Sequence, residues 1–302
     1  MDRRHPISFT AWPPAPFIAQ ALALALVLLA ATTSACASPE TVTPADTTPV
    51  GETPQRLVPR VVATHPHDPT AFTQGLELVD GRILESTGRY GESEIREVDR
   101  ATGRVLRSAP IDHTWFGEGI TSLGDGRAVQ LTWKAGRAVV WDLPTLTEVD
   151  VLTYGGQGWG LCRLPDTDVD LGQDQEAGSL VMSDGSDRLT FRDLELTRTG
   201  DVEVQLDGRP VTRLNELECV DGTVWANVWQ TDTIVAIDPS TGTVTAVVDA
   251  SGLLADRSSL GDDDVLNGIA HDPETGRFLL TGKRWPVLFE VVFEPAPDQR
   301  NG

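Results

Sequence analysis

Beyond residue 57 the chain is written in short apolar runs, many of them alternating with polar positions, and helical spacing is rare. Runs such as Arg82–Ser86, Ala128–Thr132, Ala138–Trp141, Leu180–Met182, Thr223–Asn227, Ile234–Ile237, Phe278–Leu280 and Val287–Val291 have the length and composition of strands. Asp80-Gly81, Asp125-Gly126 and Asp221-Gly222 punctuate them, and Asp-Gly between two such runs predicts a hairpin. Ala250–Leu260 is the longest helical candidate, expected to form a turn or two of helix in a connection. Five similar strings recur: Gly75-Leu76-Glu77, Gly119-Ile120-Thr121, Gly160-Leu161-Cys162, Glu216-Leu217-Glu218 and Gly268-Ile269-Ala270. They begin 44, 41, 56 and 52 residues apart, and a period of roughly 40–50 residues marks a propeller or a solenoid. Each unit reads as an inner strand, a hairpin to a second strand, a third strand ending in Asp99, Asp142, Asp193, Asp238 or Glu290, and an outer strand such as Val244–Val248. The fifth unit runs out after its third strand, near Phe293, whereas Arg60–Thr64 is a strand left over ahead of the first. The pattern predicts an all-β fold: a five-bladed β-propeller with four antiparallel strands per blade. The N-terminal strand closes the ring and covers an otherwise open edge.

The first 56 residues do not share this pattern. Residues 1–36 read as a signal peptide: Arg3 and Arg4, then an apolar stretch at 17–31 that is short for a membrane span of about 20 residues. Ser34-Ala35-Cys36 resembles a bacterial lipobox, with Cys36 as the lipidated residue, although Thr33 departs from the usual Leu or Val. Cleavage at Ala35-Cys36-Ala37 by ordinary signal peptidase is the alternative. Residues 37–56, rich in Pro and Thr, predict a disordered tether; 57–295 is the propeller domain and 296–302 a tail. The expected location is extracytoplasmic, as an envelope lipoprotein or a secreted protein, with any membrane contact made only by the lipid. A formal charge of −21 argues against nucleic acid, which requires Lys/Arg clusters. Cys162 and Cys219 lie in apolar strands that can approach each other, but paired geometry is demanding, and buried free thiols are expected. There is no Cys-x-x-Cys and no His cluster with zinc spacing.

Polar and aromatic strings flank the inner strands. Phe72-Thr73-Gln74 precedes the first, Trp115-Phe116-Gly117-Glu118 the second, Gly158-Trp159 the third, Leu214-Asn215 the fourth and Leu266-Asn267 the fifth. Leu131–Lys134, Asn227–Asp232 and Gly282–Pro286 end later hairpins. Five of the eight tryptophans (115, 133, 159, 229 and 285) fall in these strings. Apolar walls with few placed polar groups describe a small-molecule or peptide-end pocket, although tryptophan between blades is also ordinary packing.

Those strings, F-T-Q-G-L at 72–76, E-S-T-G-R-Y-G-E-S-E-I-R at 85–96, F-G-E-G-I at 116–120, L-T-W-K at 131–134, G-W-G-L at 158–161, L-N-E-L-E at 214–218, V-W-A-N-V-W-Q-T-D at 224–232 and G-K-R-W-P-V-L-F-E-V at 282–291, resemble the glutaminyl-peptide cyclotransferases of the plant and bacterial type. These are five-bladed propellers unrelated to the zinc-dependent animal enzymes. The resemblance covers about residues 60–293. Gln157 stands where the family often has an acid, and 166–178 and 194–212 read as longer, acidic loops. The resemblance implies cyclisation of an N-terminal glutamine to pyroglutamate with release of ammonia. It implies Gln74, Glu118, Asn215 and Lys283 as polar site residues, and Phe72, Phe116, Trp133, Trp159 and Trp229 as aromatic walls.

The residue types suit that chemistry. Nucleophile and electrophile belong to one residue of the substrate, so the enzyme mainly folds and holds it. Glu118 is expected to take a proton from the α-amine and return it to the leaving ammonia. Lys283 is expected to face the amide oxygen as it becomes an oxyanion, with Gln74 and Asn215 as donors that orient the amide. No Ser or Cys nucleophile, cofactor or metal is called for. The expected partners are peptides or proteins with N-terminal glutamine, and the expected state is a monomer. Two alternatives stand beside this reading: a calcium-dependent propeller hydrolase, which needs several inward acids, and a non-catalytic propeller that binds peptide ends.

Overall fold

The computed structural model describes residues 53–165 and 178–297. The signal peptide, Cys36, most of the tether, the 166–177 part of the first long loop and residues 298–302 lie outside them. The described residues fold into strands, turns and irregular connections, without a helix. After β1 (Gln55–Pro66) comes a first four-stranded sheet: β2 (Thr73–Val79), β3 (Arg82–Thr87), β4 (Glu94–Val98) and β5 (Val105–Pro110). A second holds β6 (Gly117–Ser122), β7 (Arg127–Thr132), β8 (Arg137–Asp142) and β9 (Thr147–Thr153). The third holds β10 (Leu161–Arg163), β11 (Leu180–Met182), β12 (Arg188–Arg192) and β13 (Arg198–Glu203). A small ribbon, β14 (Gln205–Leu206) with β15 (Arg209–Pro210), follows.

The remaining strands are β16 (Leu214–Val220), β17 (Thr223–Val228), β18 (Thr233–Ile237), β19 (Val244–Asp249), β20 (Leu266–Asp272), β21 (Arg277–Gly282) and β22 (Val287–Pro295). With β1 they make an eight-stranded sheet in the order β16-β17-β18-β19-β1-β22-β21-β20. Strand β1 is its hinge. Leu57–Pro66 runs antiparallel to β22, and Gln55–Leu57 runs parallel to β19. The strand expected at 60–64 is therefore longer than its apolar run, and the last residues assigned to the tether, Gln55 and Arg56, belong to it. Ala296, assigned to the tail, is tied in too: its N–H donates to the Arg56 carbonyl at 2.8 Å.

The first strands of successive units touch in a closed cycle: β2 with β6, β6 with β10, β10 with β16, β16 with β20 and β20 with β2. Five apolar clusters lie between neighbouring units in the same cyclic order. Leu84, Ile95, Ile120 and Trp141 join the first two units, and Leu76, Ile83, Ala270, Leu279 and Leu288 join the fifth to the first. Strands packed on two faces explain continuous apolar runs such as Ala-Val-Val-Trp in β8, buried throughout. Burying a side chain of the size of Val or Leu contributes about 1.5–3 kcal/mol.

The turn chemistry follows the sequence closely. Asp80-Gly81 and Asp221-Gly222 take positive φ at both residues (49° and 75°; 48° and 79°), as a two-residue hairpin requires. The acids that end the third strands fold the next turn over themselves: Thr102, Thr145, Glu195 and Ser240 each donate a backbone N–H to Asp99, Asp142, Asp193 or Asp238. Glu290 differs, pairing with Arg277, Arg100 and His65.

Three expectations are corrected. Ala250–Leu260 is not helical, because Asp249 and Asp256 capture the Ser251 and Ser258 N–H groups in local turns. About half of residues 194–212 is strand, β13 to β15, rather than loop, and two of the acids there, Asp201 and Glu203, are paired with Arg188 and Arg198. Cys162 on β10 and Cys219 on β16 form a disulfide, with their Cα atoms 5.4 Å apart. Neighbouring first strands bring the two within reach, as the repeat allowed, and the Cα separation meets the geometric demand that made free thiols the expectation.

Candidate active site

The repeat places chemistry at two levels. The first is a break in register on the inner strands. Pairing shifts at 73/75 in β2, 117/120 in β6, 214/217 in β16 and 266/269 in β20. Such bulges turn side chains out of the normal alternation. The first residue inside each is Gln74, Glu118, Asn215 or Asn267. Trp159 holds the corresponding position just ahead of β10. Glycine follows Gln74, Glu118 and Trp159 because the strands approach closely there. A Cβ on Gly160 would lie 2.0 Å from the Asn215 carbonyl oxygen, and one on Gly119 would lie 2.5 Å from the Leu161 nitrogen.

The second level is the residue after each second strand. Thr87, Thr132, Val228 and Gly282 close the ladders of β3, β7, β17 and β21. The residues that follow are Gly88, Trp133, Trp229 and Lys283. Backbone bonds fix them: Trp133 N–H donates to Phe116 O at 2.9 Å, Trp229 N–H to Arg213 O at 2.9 Å and Lys283 N–H to Val265 O at 2.9 Å.

Both levels open into one pocket of about 440 Å³ lined by Phe72, Gln74, Arg89, Phe116, Glu118, Trp133, Trp159, Asn215, Trp229, Asp263 and Lys283. All nine site residues named from the sequence are there. Arg89 and Asp263 were not anticipated. Gln157, which stands where the resembled family often has an acid, props two walls at once: its Oε1 accepts from the Trp133 indole at 2.7 Å and the Trp159 indole at 3.4 Å. The aromatic rings meet edge to face: Phe72 with Phe116 at 6.2 Å, Phe116 with Trp133 at 5.7 Å, Trp159 with Trp229 at 5.5 Å. Trp285 is instead fully buried in the cluster between the fourth and fifth units, its indole N–H on the Asp264 carbonyl, and Trp115 packs against the cluster between the first two units.

Glu118 and Lys283 are each only 4% exposed. Among the described residues the Glu118 carboxylate accepts no hydrogen bond. Burial pushes its pKa well above the usual carboxylate range, and the Lys283 charge offsets this only in part. Burial also lowers the Lys283 ammonium to about 8, with Glu118 acting against that shift. The two shifts run toward each other, the acid upward and the ammonium downward, which is the form of a proton-exchanging pair. Asn215 makes no side-chain hydrogen bond among the described residues, and its Oδ1 is buried without a partner there. Asn267 stands behind Gln74, its Nδ2 3.4 Å from Gln74 Oε1. That leaves the Gln74 amide N–H groups for the pocket.

The other buried acids are occupied. Glu216 reaches the first strands of two other units, accepting the backbone N–H groups of Leu76 at 3.2 Å and Ile269 at 2.8 Å. Glu218 accepts from His271 and Glu77 from Ser122. Among the described residues, no three His, Cys, Asp or Glu side chains are arranged to hold a metal ion. A larger hollow of about 690 Å³ lies among the turns of the first two units, but its Glu97 is already paired with Arg82 and Arg107.

An all-β ring of sheets that gathers an acid–base pair and aromatic walls at one mouth defines a protein that handles a small group or a peptide end. The glutamine cyclotransferase family model matches residues 25–293, so the chain belongs to that family. It is 39% identical over 243 residues to a glutaminyl-peptide cyclotransferase of Arabidopsis thaliana, spanning 78% of this chain and 71% of that protein. The crystal structure of Myxococcus xanthus glutaminyl cyclase superposes with a TM-score of 0.72 at 37% identity, over 81% of this chain and all of that one.

Proposed function

We infer that the protein is a glutaminyl-peptide cyclotransferase, an enzyme that closes N-terminal glutamine to pyroglutamate and releases ammonia. The observation that carries the reading is the buried Glu118–Lys283 pair in an aromatic pocket, with the Glu118 carboxylate free of hydrogen bonds. The peptide's first residue enters between the rings, and its α-amine meets Glu118. An α-ammonium has a pKa near ~8, so a carboxylate raised by burial is a better-matched base than an ordinary one. The amine attacks the side-chain carbonyl carbon, and the oxygen gains charge toward Lys283, in a site where water does not compete. Gln74 and Asn215 hold the amide in the folded-back geometry. Glu118 then returns its proton to the departing nitrogen. Catalysis is largely positioning, worth up to ~7–11 kcal/mol for well-oriented groups.

The scaffold reading is a five-bladed propeller, supported by the closed cycle of inner strands and the five apolar seams, with β1 as fourth strand of the last blade. Export through residues 1–36, with Cys36 as a lipid anchor, completes the proposal. It is tested by whether Cys36→Ser shifts the protein out of the membrane fraction. The activity is tested by incubating the protein with a Gln-initiated peptide. Loss of one ammonia from the peptide, with free ammonia in solution, is expected. An unmodified peptide that nevertheless binds would leave the non-catalytic reading standing.

A further inference from the structure

Arg89 has no part in the chemistry above, yet it lines the pocket. It follows Gly88, the first unit's counterpart of Trp133, Trp229 and Lys283. A side chain at 88 has no room: its Cβ would lie 2.3 Å from Phe116 Cε1. The place is therefore filled by the next residue, whose backbone takes φ 106°, a conformation that non-glycine residues rarely adopt. Strain of this kind persists where the surroundings hold it, and it concentrates at functional sites. Here the Arg89 carbonyl accepts the Ser93 hydroxyl at 2.6 Å and the Glu92 N–H at 3.1 Å. Ser93 Oγ in turn accepts the Gly117 N–H at 2.9 Å, one residue before Glu118. The turn is locked to the strand that carries the acid.

Its guanidinium lies 4.3 Å from the centre of the Phe72 ring. Lys283 and Arg284 face the same ring at 5.0 and 5.5 Å. Lys283 has Glu118 as its counter-charge, and Arg284 has Asp264 at 3.6 Å. Arg89 has none: its side chain makes no ion pair or hydrogen bond with a described residue, and its Nε is buried without a partner. In a chain of net charge −21, a guanidinium left unpaired in the mouth of the site has the form of half an ion pair. Its fork of donors suits a planar carboxylate.

We propose that Arg89 is a specificity-determining residue that binds a carboxylate of the peptide beyond the reacting glutamine, either the acidic side chain of the second residue or the terminal carboxylate of a dipeptide. The proposal rests on the cyclotransferase reading and deepens it: the favoured substrates are Gln-Glu and Gln-Asp peptides or free Gln-dipeptides.

The test is a ratio of kcat/KM values on the full chain. One arm compares Gln-Glu-Ala-amide with Gln-Gln-Ala-amide, and a second compares the dipeptide Gln-Ala with its amide. A charge-assisted hydrogen bond corresponds to about tenfold or more. The parent protein is expected to show at least that preference for the charged member of one pair, and the pair identifies which carboxylate is read. Arg89→Gln should collapse the ratio to within about twofold, while Arg89→Lys should keep part of it. The same ratio in Kd, measured on the Glu118→Gln variant, judges the proposal without turnover. Equal values for both pairs in the parent, or a ratio that survives Arg89→Gln, would overturn the assignment while leaving the cyclotransferase reading intact. Failure to cyclise any peptide would instead remove that reading, and the Kd ratio would still decide on Arg89.

Discussion

Glu85 and Glu118 are both buried acids on neighbouring strands, and they are opposites. The Glu85 carboxylate is saturated. It accepts Thr73 Oγ1 at 2.7 Å, lies 3.0 Å from His67 Nε2 and is held by Arg96 through Nη2 at 2.9 Å and Nε at 3.2 Å. Burial alone would raise its pKa, but His67, Arg96 and Thr73 outweigh that and bring it to about 2. Glu118 is equally dry and has only the Lys283 charge to offset burial, so its pKa goes the other way. Burial does not decide what a carboxylate does; what stands around it does. A saturated acid is structure, and an unsaturated one is held in readiness for a ligand.

The sharpest way to break this contrast is Glu118→Gln. The change is nearly isosteric and removes the proton carrier, so kcat should fall by ~10²–10⁴ with the fold retained. Turnover within about threefold of the parent, at unchanged thermal unfolding, would reduce Glu118 to a wall residue. Lys283→Met comes next. It keeps most of the stem and removes the charge facing the oxyanion, a loss on the order of 10²–10³ in kcat. Removing the ammonium also removes what restrains the Glu118 pKa, so the acid limb of the pH–rate profile should move upward. A profile that does not move would separate the two residues.

Glu85→Gln should do the reverse, leaving activity per folded molecule and removing stability. It leaves His67 without its anion and Arg96 with only the less buried Asp68 and Glu94, so the loss should approach the lower end of the range of about 3–5 kcal/mol that breaking a buried pair costs. Because the folded-state pKa is depressed to about 2 from 4.5, this contribution is present above pH 4.5 and is lost as pH falls toward 2. The gap in Tm between parent and variant should therefore narrow across that window. A gap that stays constant would mean that Glu85 stabilises by shape alone.

The sequence alone could not have drawn this contrast. Glu85 is followed by Ser86 and Thr87 and Glu118 stands between two glycines, but neither string says which carboxylate is satisfied; the packing of one unit on the next does. What the repeat did make legible were positions: Gln74, Glu118, Trp159 and Asn215 share one offset, and Trp133, Trp229 and Lys283 share another. Asn267 sits at the first offset too, but the structure turns it behind Gln74. Trp285 lies two residues beyond Lys283 and is pure core, which composition cannot distinguish from a pocket wall. Arg89 escaped because Gly88 occupies the aligned position and the next residue takes over. The approach of Cys162 and Cys219 was legible in the repeat, but whether they bond depends on a Cα separation, 5.4 Å, that only the packed strands show.

The smallest effect tests whether the two regions are independent. Ser86 follows Glu85 on β3, and its hydroxyl donates to the Glu118 carbonyl while accepting from Gln130 Nε2 at 2.7 Å. It touches neither carboxylate, only the backbone of the strand that carries Glu118. Ser86→Ala leaves that carbonyl without its donor and Gln130 with one partner fewer, a cost of about 1–3 kcal/mol in stability. The bulge around Glu118 is also held by Gly119 N–H on the Trp159 carbonyl at 2.7 Å and by Gly117 N–H on Ser93, so the carboxylate should shift little. The loss in kcat should stay well under the ~10²-fold that a 1 Å misplacement brings, with KM unchanged. A loss as large as that of Glu118→Gln would show that the saturated network sets the geometry of the reactive one, and the two acids would then be a single device.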